Sequence, residues 1–230
     1  MASSFALKRN LSLVGPPGSG KGSYGRLFSK HWKIPLITVS DVLRQHSHEV
    51  ESGSLVDDNT VSDLLRNHLP PSPFVLDGFP RTLRQVQLME ETWPDDLKVH
   101  AVISLNVPKK VCETKLLGRR LCGKCGGNYN VHAVSVEGFE LPAQLPVDCN
   151  CDHEHFSIRS DDVPDIVEER LEAHYATTDP ILHHFEQKGR LLRFAPYRGY
   201  EDVSRFQHAI ETWLTNMEEN EQQERNESMS

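Results

Sequence analysis

Short apolar runs alternate along the chain with stretches whose apolar positions recur at helical spacing. Four of the apolar runs predict buried strands: Asn10–Gly15, Phe74–Asp77, His100–Asn106 and Leu191–Phe194. These runs are almost continuously apolar, as strands covered by helices on both faces are. Strands of this kind alternating with helices are typical of an α/β domain built on a parallel sheet.

The helical stretches lie between the predicted strands. They are Gly20–Trp32, Asp58–His68, Thr82–Trp93 and Pro108–Arg120. Near the end of the chain, a one-face apolar stripe predicts a helix packed on the core; it consists of Phe206, Ile210, Trp213, Leu214 and Met217. Residues 121–158 show no sustained period, which predicts a small inserted subdomain.

Composition and charge exclude several classes of protein. The hydrophobic fraction of 37% and the charged fraction of 25% are ordinary for a globular domain. No run approaches the roughly 20 apolar residues of a membrane helix. The formal net charge is −8, and residues 218–230 form an acidic tail rich in Gln, Asn and Ser, which we expect to be disordered. Without a basic surplus, a nucleic-acid partner is not expected.

The first ten residues carry Lys8, Arg9 and no acid, and they are too short for a secretory signal. We therefore expect a cytoplasmic protein, with a mitochondrial or other organelle location as the alternative. No apolar stripe is left without a place in the core, so we expect a monomer.

The first predicted strand leads directly into a glycine-rich segment. It reads Gly15-Pro16-Pro17-Gly18-Ser19-Gly20-Lys21-Gly22-Ser23. The spacing of Gly15, Gly20 and Lys21 is that of a phosphate-binding loop, whose backbone N–H groups surround an anion at the start of a helix. In the general motif a hydroxyl residue follows the lysine, whereas here Gly22 stands between Lys21 and Ser23.

A second group of candidate ligands follows the second predicted strand, in the segment Asp77-Gly78-Phe79-Pro80-Arg81-Thr82. The carboxyl ends of strands in an open α/β sheet are where ligands bind. Asp77 can hold Mg²⁺ through water, and Arg81 can offer two coplanar donors to a phosphate. The two segments together predict a site for two phosphate groups.

With their order and spacing, these motifs resemble the adenylate kinase family of nucleoside monophosphate kinases, over roughly residues 10 to 215. The resemblance implies the reaction ATP + AMP ⇌ 2 ADP with Mg²⁺ and a P-loop parallel sheet flanked by helices. The domain would span residues 8–217, with a shortened nucleoside-monophosphate lobe at about 38–68 and a lid insertion at about 119–158. Such transfer depends on positioning and charge neutralisation, so none of the histidines is given a catalytic role.

The resemblance also assigns residues to the two nucleotides. The catalytic cations would be Lys21, Arg81, Arg119, Arg159 and Arg170. ATP would contact Gly18, Ser19, Gly20, Lys21, Gly22, Ser23, Arg119, Asn128 and Tyr129. AMP would contact Val39, Arg44, Leu55, Val56, Gly78, Phe79, Pro80, Arg81, Gln85, Arg159 and Arg170.

Several positions depart from the family pattern. Val39 replaces a usual hydroxyl residue, Lys115 replaces a frequent arginine, and the stretch from Arg44 to Leu55 is about two helical turns short. The shortened lobe and Val39 keep open a kinase with another base or donor preference, such as GTP with AMP. A nucleotide-binding or zinc-ribbon interaction protein that has lost catalysis is a second alternative, against which the intact cations speak.

Four of the five cysteines lie in the insertion. The two residues between Cys122 and Cys125 allow both thiolates to reach one tetrahedral Zn²⁺. The resemblance implies a long-lid, zinc-type variant with a zinc-ribbon-like lid, in which Cys149 and either Cys151 or Asp152 complete a structural site. Free thiols or a disulfide in a metal-free lid is the alternative. Cys112 is expected to be a small buried residue.

Overall fold

The computed structural model describes residues 5–46, 56–71, 73–146 and 153–228 of the chain. Its strands, in chain order, are β1 Leu11–Val14, β2 Leu36–Thr38, β3 Val75–Asp77, β4 Ala101–Leu105, β5 Arg119–Cys122, β6 Asn128–Asn130, β7 Val134–Val136, β8 Phe139–Leu141, β9 Phe156–Ser157 and β10 Leu191–Phe194. Its helices are α1 Lys21–Trp32, α2 Val39–Gln45, α3 Asp58–His68, α4 Leu83–Thr92, α5 Lys109–Leu117, α6 Pro164–Gln187 and α7 Val203–Ser228. None of these described helices has the length and apolarity that a membrane crossing requires.

Five strands form a central sheet in the order β10-β4-β1-β3-β2, and every pairing in it is parallel. The buried side chains fall into two clusters, and neighbouring residues of β4 contribute to different ones: Val102 to one and Ile103 to the other. Because successive side chains on a strand point to opposite faces, the two clusters cover the two faces of the sheet. The predicted α/β class with a parallel sheet is confirmed.

The four predicted strands are confirmed, whereas the sequence pattern does not predict β2 or the long helix α6. β2 has only three residues, all partly exposed at the sheet edge, so it lacks a buried apolar run. The predicted helix Pro108–Arg120 is too long. α5 ends at Leu117, because the next residues pair with β6 and β9 as strand β5.

The insertion consists of two parts with different packing. β5, β6 and β9 form a separate antiparallel sheet. The hairpin of β7 and β8 instead buries Val134, Phe139 and Leu141 in one of the two main core clusters. Part of the insertion is therefore anchored to the central domain.

The prediction of a disordered acidic tail is wrong for residues 218–228, which continue α7 to Ser228. Arg9 donates two hydrogen bonds to Glu221, at 3.0 and 2.6 Å, and Lys8 lies 3.8 Å from Glu218. A helix already nucleated by its packed apolar stripe extends at little cost through good helix formers such as Glu and Gln. The basic N-terminal segment offsets part of the glutamate charge.

Candidate active site

The phosphate-binding loop joins β1 to α1 through three glycines with positive φ, namely Gly15, Gly18 and Gly20. A Cβ on Gly18 would lie 2.7 Å from the carbonyl oxygen of Cys112, and one on Gly15 would lie 2.9 Å from that of Leu105. The loop is therefore packed against the start of α5 and the end of β4. The hydroxyl of Ser19 is buried in the same loop and has no hydrogen-bond partner among the residues that the structure describes.

Lys21 opens α1 and folds back over this loop. Its Nζ donates to the carbonyl oxygens of Gly15, at 2.5 Å, and Pro16, at 2.9 Å. Burial lowers the pKa of Lys21 to about 8, although the nearby carboxylate of Asp77 opposes the shift. The ammonium group is thus held where backbone dipoles and a positive helix end favour an anion.

Asp77 and Arg81 stand at the carboxyl end of β3, beside the loop. The Oδ2 of Asp77 lies 3.1 Å from the position that a Cβ on Gly22 would occupy, and burial raises the pKa of Asp77 against the influence of Lys21 and Arg81. Arg81 donates from Nε to the carbonyl of Gly78 at 2.8 Å. Burial lowers the pKa of Arg81, while the charge of Asp77 acts in the opposite direction.

The predicted base-reading residue, Gln85, is almost fully buried, with 4% exposure. Its Oε1 accepts a hydrogen bond from the backbone N–H of Arg81 at 2.7 Å, and its Nε2 donates to Asp58 at 2.8 Å. Asp58 also accepts from the hydroxyl of Thr82 at 2.8 Å. A base edge that bonds Gln85 must therefore exchange with one of these partners.

The remaining predicted AMP residues lie on and around α2. Val39 is buried, with 2% exposure, in a core cluster on which Val56 also packs. Arg44 is 65% exposed and forms an ion pair with Asp41. Leu55 lies outside the described residues, so the predicted pair Leu55 and Val56 is seen only in its second member.

Three predicted arginines share two carboxylates near the exit of the insertion. Arg119 donates two hydrogen bonds to Asp162, one of them from Nε at 2.6 Å, and Asp162 is only 3% exposed. Arg159 and Arg170 each pair with Asp161 at 3.0 Å, and Arg170 also lies 3.5 Å from Asp162. In this arrangement the arginines are largely neutralised by the protein's own acids.

Electrostatic coupling links these groups into one site. Lys21 is influenced by Asp77, Arg81 and Arg170, and Arg81 is influenced by Asp77 and Arg170. Residues from β3, α1 and α6 that are far apart in sequence are thus brought together. The concentration of positive charge at the carboxyl edge of the sheet is suited to phosphate groups.

The residues predicted to contact the ATP base and ribose lie on the small sheet of the insertion. Asn128 is exposed on β6, and the ring of Tyr129 stacks on Phe156 with centroids 5.6 Å apart. Lys115 points to the phosphate loop, with its Nζ 3.7 Å from the position of a Cβ on Gly20. Burial lowers the pKa of Lys115.

Two of the five predicted zinc ligands can be placed. Cys122 is buried and Cys125 is exposed, and the turn between them is closed by the Gly126 N–H, which donates to the Cys122 carbonyl at 2.9 Å. The N–H of Gly127 points to the Sγ of Cys125 at 3.3 Å. Cys149, Cys151 and Asp152 lie outside the described residues. Within the described ranges, no three metal-ligating side chains converge.

Known proteins resemble this sequence over most of its length. The adenylate kinase family model matches residues 13–190. The probable adenylate kinase 6, chloroplastic, of Oryza sativa subsp. japonica is 33% identical over 204 residues, which cover 79% of this chain and 70% of that protein. The adenylate kinase of Desulforamulus reducens is 33% identical over 198 residues, covering 79% and 90% respectively. The chain belongs to the adenylate kinase family. It is a phosphotransferase.

One further relative bears on donor choice. The GTP:AMP phosphotransferase of Plasmodium falciparum is 32% identical over 226 residues, which cover 89% of this chain and 96% of that protein. Relatives named adenylate kinase and one named GTP:AMP phosphotransferase therefore resemble this chain to similar degrees.

The sequence motifs predict the cations of the site, but they do not predict the acids that pair with them. Asp161 and Asp162 stand next to Arg159 in the sequence and carry the pairing of three arginines. Asp58, which bonds Gln85 and Thr82, is noted only as a helix start. Spacing gives no signal for the partners of Arg119 and Gln85. Asp162 meets Arg119 across 43 residues of sequence, and Asp58 meets Gln85 only when α3 packs on α4.

Proposed function

We propose that this phosphotransferase is an adenylate kinase, which reversibly transfers the terminal phosphoryl group of ATP to AMP and yields two ADP. The observation that carries the proposal is the mutual influence of Lys21, Asp77 and Arg81 at the carboxyl edge of the sheet, on which Arg170 of α6 also acts. A loop of backbone amides adjoins them. Such a site neutralises the negative charge on a phosphoryl group during its transfer.

In this proposal the loop from Gly18 to Ser23 binds the phosphates of ATP, and Lys21 contacts the transferred group. Arg81 and Arg44 hold the phosphate of AMP, while Gln85 lies beside its base. Arg119, Arg159 and Arg170 leave Asp161 and Asp162 for phosphate oxygens when the insertion closes. Closure excludes water, which would otherwise accept the phosphoryl group.

Asp77 is the residue that would hold a magnesium ion through its water ligands. Its carboxylate is buried beside Lys21 and faces the loop near Gly22, and a hydrated Mg²⁺ bound to phosphates prefers such an oxygen donor. When bound, the ion would supply positive charge that offsets the negative charge of the phosphate groups. Asp77→Asn should therefore raise the Mg²⁺ concentration needed for half-maximal activity.

We also propose a structural zinc ion in the insertion. The turn from Cys122 to Gly127 directs a backbone N–H at the Cys125 sulfur, a contact that favours a thiolate. The N–H of Gly123 bonds the carbonyl of His155, so the chain just beyond Asp152 lies beside the Cys122 turn. Cys122, Cys125 and Cys149 would bind the metal together with Cys151 or Asp152, as a small sheet with little core of its own requires.

Metal analysis with three variants tests the zinc proposal. We expect one zinc ion per chain in the wild type, and its loss together with a lower Tm in Cys125→Ser. Cys151→Ser and Asp152→Ala then identify the fourth ligand, and Cys112→Ala is the control because Cys112 lies in α5. A wild-type protein that contains no zinc, and gains no stability when zinc is added, would contradict the proposal.

A GTP:AMP transferase is the second candidate, favoured by the match to the Plasmodium falciparum enzyme over 89% of this chain. Initial rates with ATP and GTP as donors, each against AMP, GMP, CMP and UMP, separate the two candidates. ATP with AMP should give the highest kcat/KM. A higher kcat/KM for GTP would replace our first choice by the second, and a different best acceptor would overturn both.

We propose a monomer as the working unit, as the sequence pattern predicts. Light scattering at working concentration tests this expectation. The cytoplasmic location, with an organelle as the alternative, stays a prediction from the short basic N-terminal segment.

A further inference from the structure

His174 lies where the charges of Lys21 and Arg81 act on its imidazole, although the sequence gives no histidine a role. It is on α6, one helical turn after Arg170, so both side chains leave the same face of the helix. One further turn along that face, the hydroxyl of Thr178 lies 3.0 Å from His174 Nδ1. Thr178 is 7% exposed and His174 is half-buried, so this pair holds the imidazole in place.

Cations face this imidazole. Burial, then Lys21 from α1, and then Arg81 after β3 lower the pKa of His174 to about 4. Arg170 lies one turn before it on the same helix and belongs to the same coupled group. The protein thus places a fourth basic group among three cations and leaves it neutral near pH 7.

The acids of the surrounding elements are engaged elsewhere. Glu90 of α4 bonds His184 and Lys188, which lie ten or more residues further along α6. Glu168 of α6 pairs with Lys109 of α5. Asp77 is the carboxylate nearest to Lys21 and Arg81 at the sheet edge, where it interacts with both.

We propose that His174 is a further phosphate-binding residue, which takes up a proton from solvent when the nucleotides bind and then donates a hydrogen bond to a phosphate oxygen. The identity of the anions rests on the proposed function. The hydroxyl of Thr178 serves both states, because it donates to a neutral ring nitrogen and accepts from a protonated one.

The physical reason is the reversal of the local field. In the free protein, burial disfavours the protonated imidazole most, and the charges of Lys21 and Arg81 add to that effect. Two bound nucleotides bring several negative charges against these same cations, and a nearby negative charge favours the charged form of histidine. Protonation then adds a charge-assisted hydrogen bond at the phosphates. Nucleotide affinity would consequently increase as pH falls.

Calorimetry of nucleotide binding tests this inference without catalysis. AMP and the magnesium complex of a non-hydrolysable ATP analogue, AMP-PNP, are titrated together at pH 6.5 in buffers with different ionisation heats. The variants are His174→Gln, which keeps a polar side chain, and His174→Phe, which keeps a ring. The matched control is His183→Gln, on the exposed side of the same helix. Protons released by the nucleotides themselves are common to all four proteins.

We expect both His174 variants to take up about one proton fewer than the wild type and the His183 variant. Their affinity should also lose the added pH dependence of about tenfold per pH unit. Equal proton uptake in the wild type and His174→Gln would overturn the inference and make His174 a packing residue. A wild type that binds neither nucleotide would instead overturn the proposed function. Thermal melts identify any variant that does not fold, and His174→Gln decides the question if His174→Phe fails.

Discussion

The site contains two groups of cations that are held in opposite ways. At the edge of the sheet, Lys21 and Arg81 donate to main-chain carbonyls, and burial lowers the pKa of both. At the exit of the insertion, Arg119, Arg159 and Arg170 are paired with Asp161 and Asp162. Lys21 and Arg81 are therefore placed to bind the phosphate of a ligand, whereas the three arginines already pair with carboxylates of the protein.

The difference shows how one site can contain cations that are ready to bind a phosphate and others that must first change partners. Cations that are held by main-chain carbonyls need no rearrangement to bind a phosphate. The free-energy cost of removing them from water is offset only when an anion binds. Arginines paired with acids must exchange partners, so a moving segment can deliver them at closure. In the proposed function, the sheet edge would bind the phosphates first, and closure of the insertion would then bring the three arginines to them.

The largest expected effect is at the sheet edge. Lys21→Met should lower kcat/KM by about 10³-fold, because it removes a fixed charge from the transferred group. A coupled assay of ADP formation measures this. Lys30→Met is the control, since Lys30 is exposed on the same helix. A loss under tenfold in Lys21→Met would show that the sheet-edge lysine does not act on the phosphoryl group.

The two acids that pair with the arginines should contribute unequally to the free energy of unfolding. Asp162→Ala should lower the free energy of unfolding by about 3 kcal/mol, because it leaves Arg119 without its buried partner. Asp161 is more exposed, and Asp161→Ala should cost about 1 kcal/mol or less. Urea unfolding of both variants gives the comparison. Equal losses would show that burial does not distinguish the two acids.

The loop glycines should be less tolerant than a glycine of the insertion. Gly18→Ala puts a Cβ at positive φ and 2.7 Å from the Cys112 carbonyl, which should cost about 2 to 3 kcal/mol and weaken ATP binding. At Gly126 φ is also positive, but a Cβ meets nothing within 4 Å, so Gly126→Ala should cost about 1 kcal/mol. Thermal melts and ATP titrations of the pair test this order.

The smallest effect is a dependence on pH that belongs to Lys21. Because its pKa is about 8 in the free protein, kcat/KM should fall above pH 8 by roughly tenfold per unit. Stability should change in the other direction. The unfolded chain binds more protons than the native one between about pH 8 and the ordinary lysine pKa, so the free energy of unfolding rises with pH there. Lys21→Arg should remove both trends, and a wild-type profile that stays flat to pH 10 would contradict them.

Much of the fold follows from local patterns. The four predicted strands are largely apolar runs, and the phosphate loop is a fixed spacing of glycines around a lysine. β2 is missed because its three residues are partly exposed at the edge of the sheet. The helical end of α7 is missed because its glutamates look unpaired until Arg9 and Lys8 are placed beside them.

The sequence alone determined the chemistry that this protein can perform, because glycine spacing and strand-end residues are local features that need no partner to be recognised. Only the tertiary structure decided how each charged group is held. Asp162 meets Arg119 across 43 residues of sequence, and the charges of Lys21 and Arg81 act on His174 although both residues lie far from it in the chain. Burial and charge pairing depend on distances in space, and a one-dimensional pattern does not contain them.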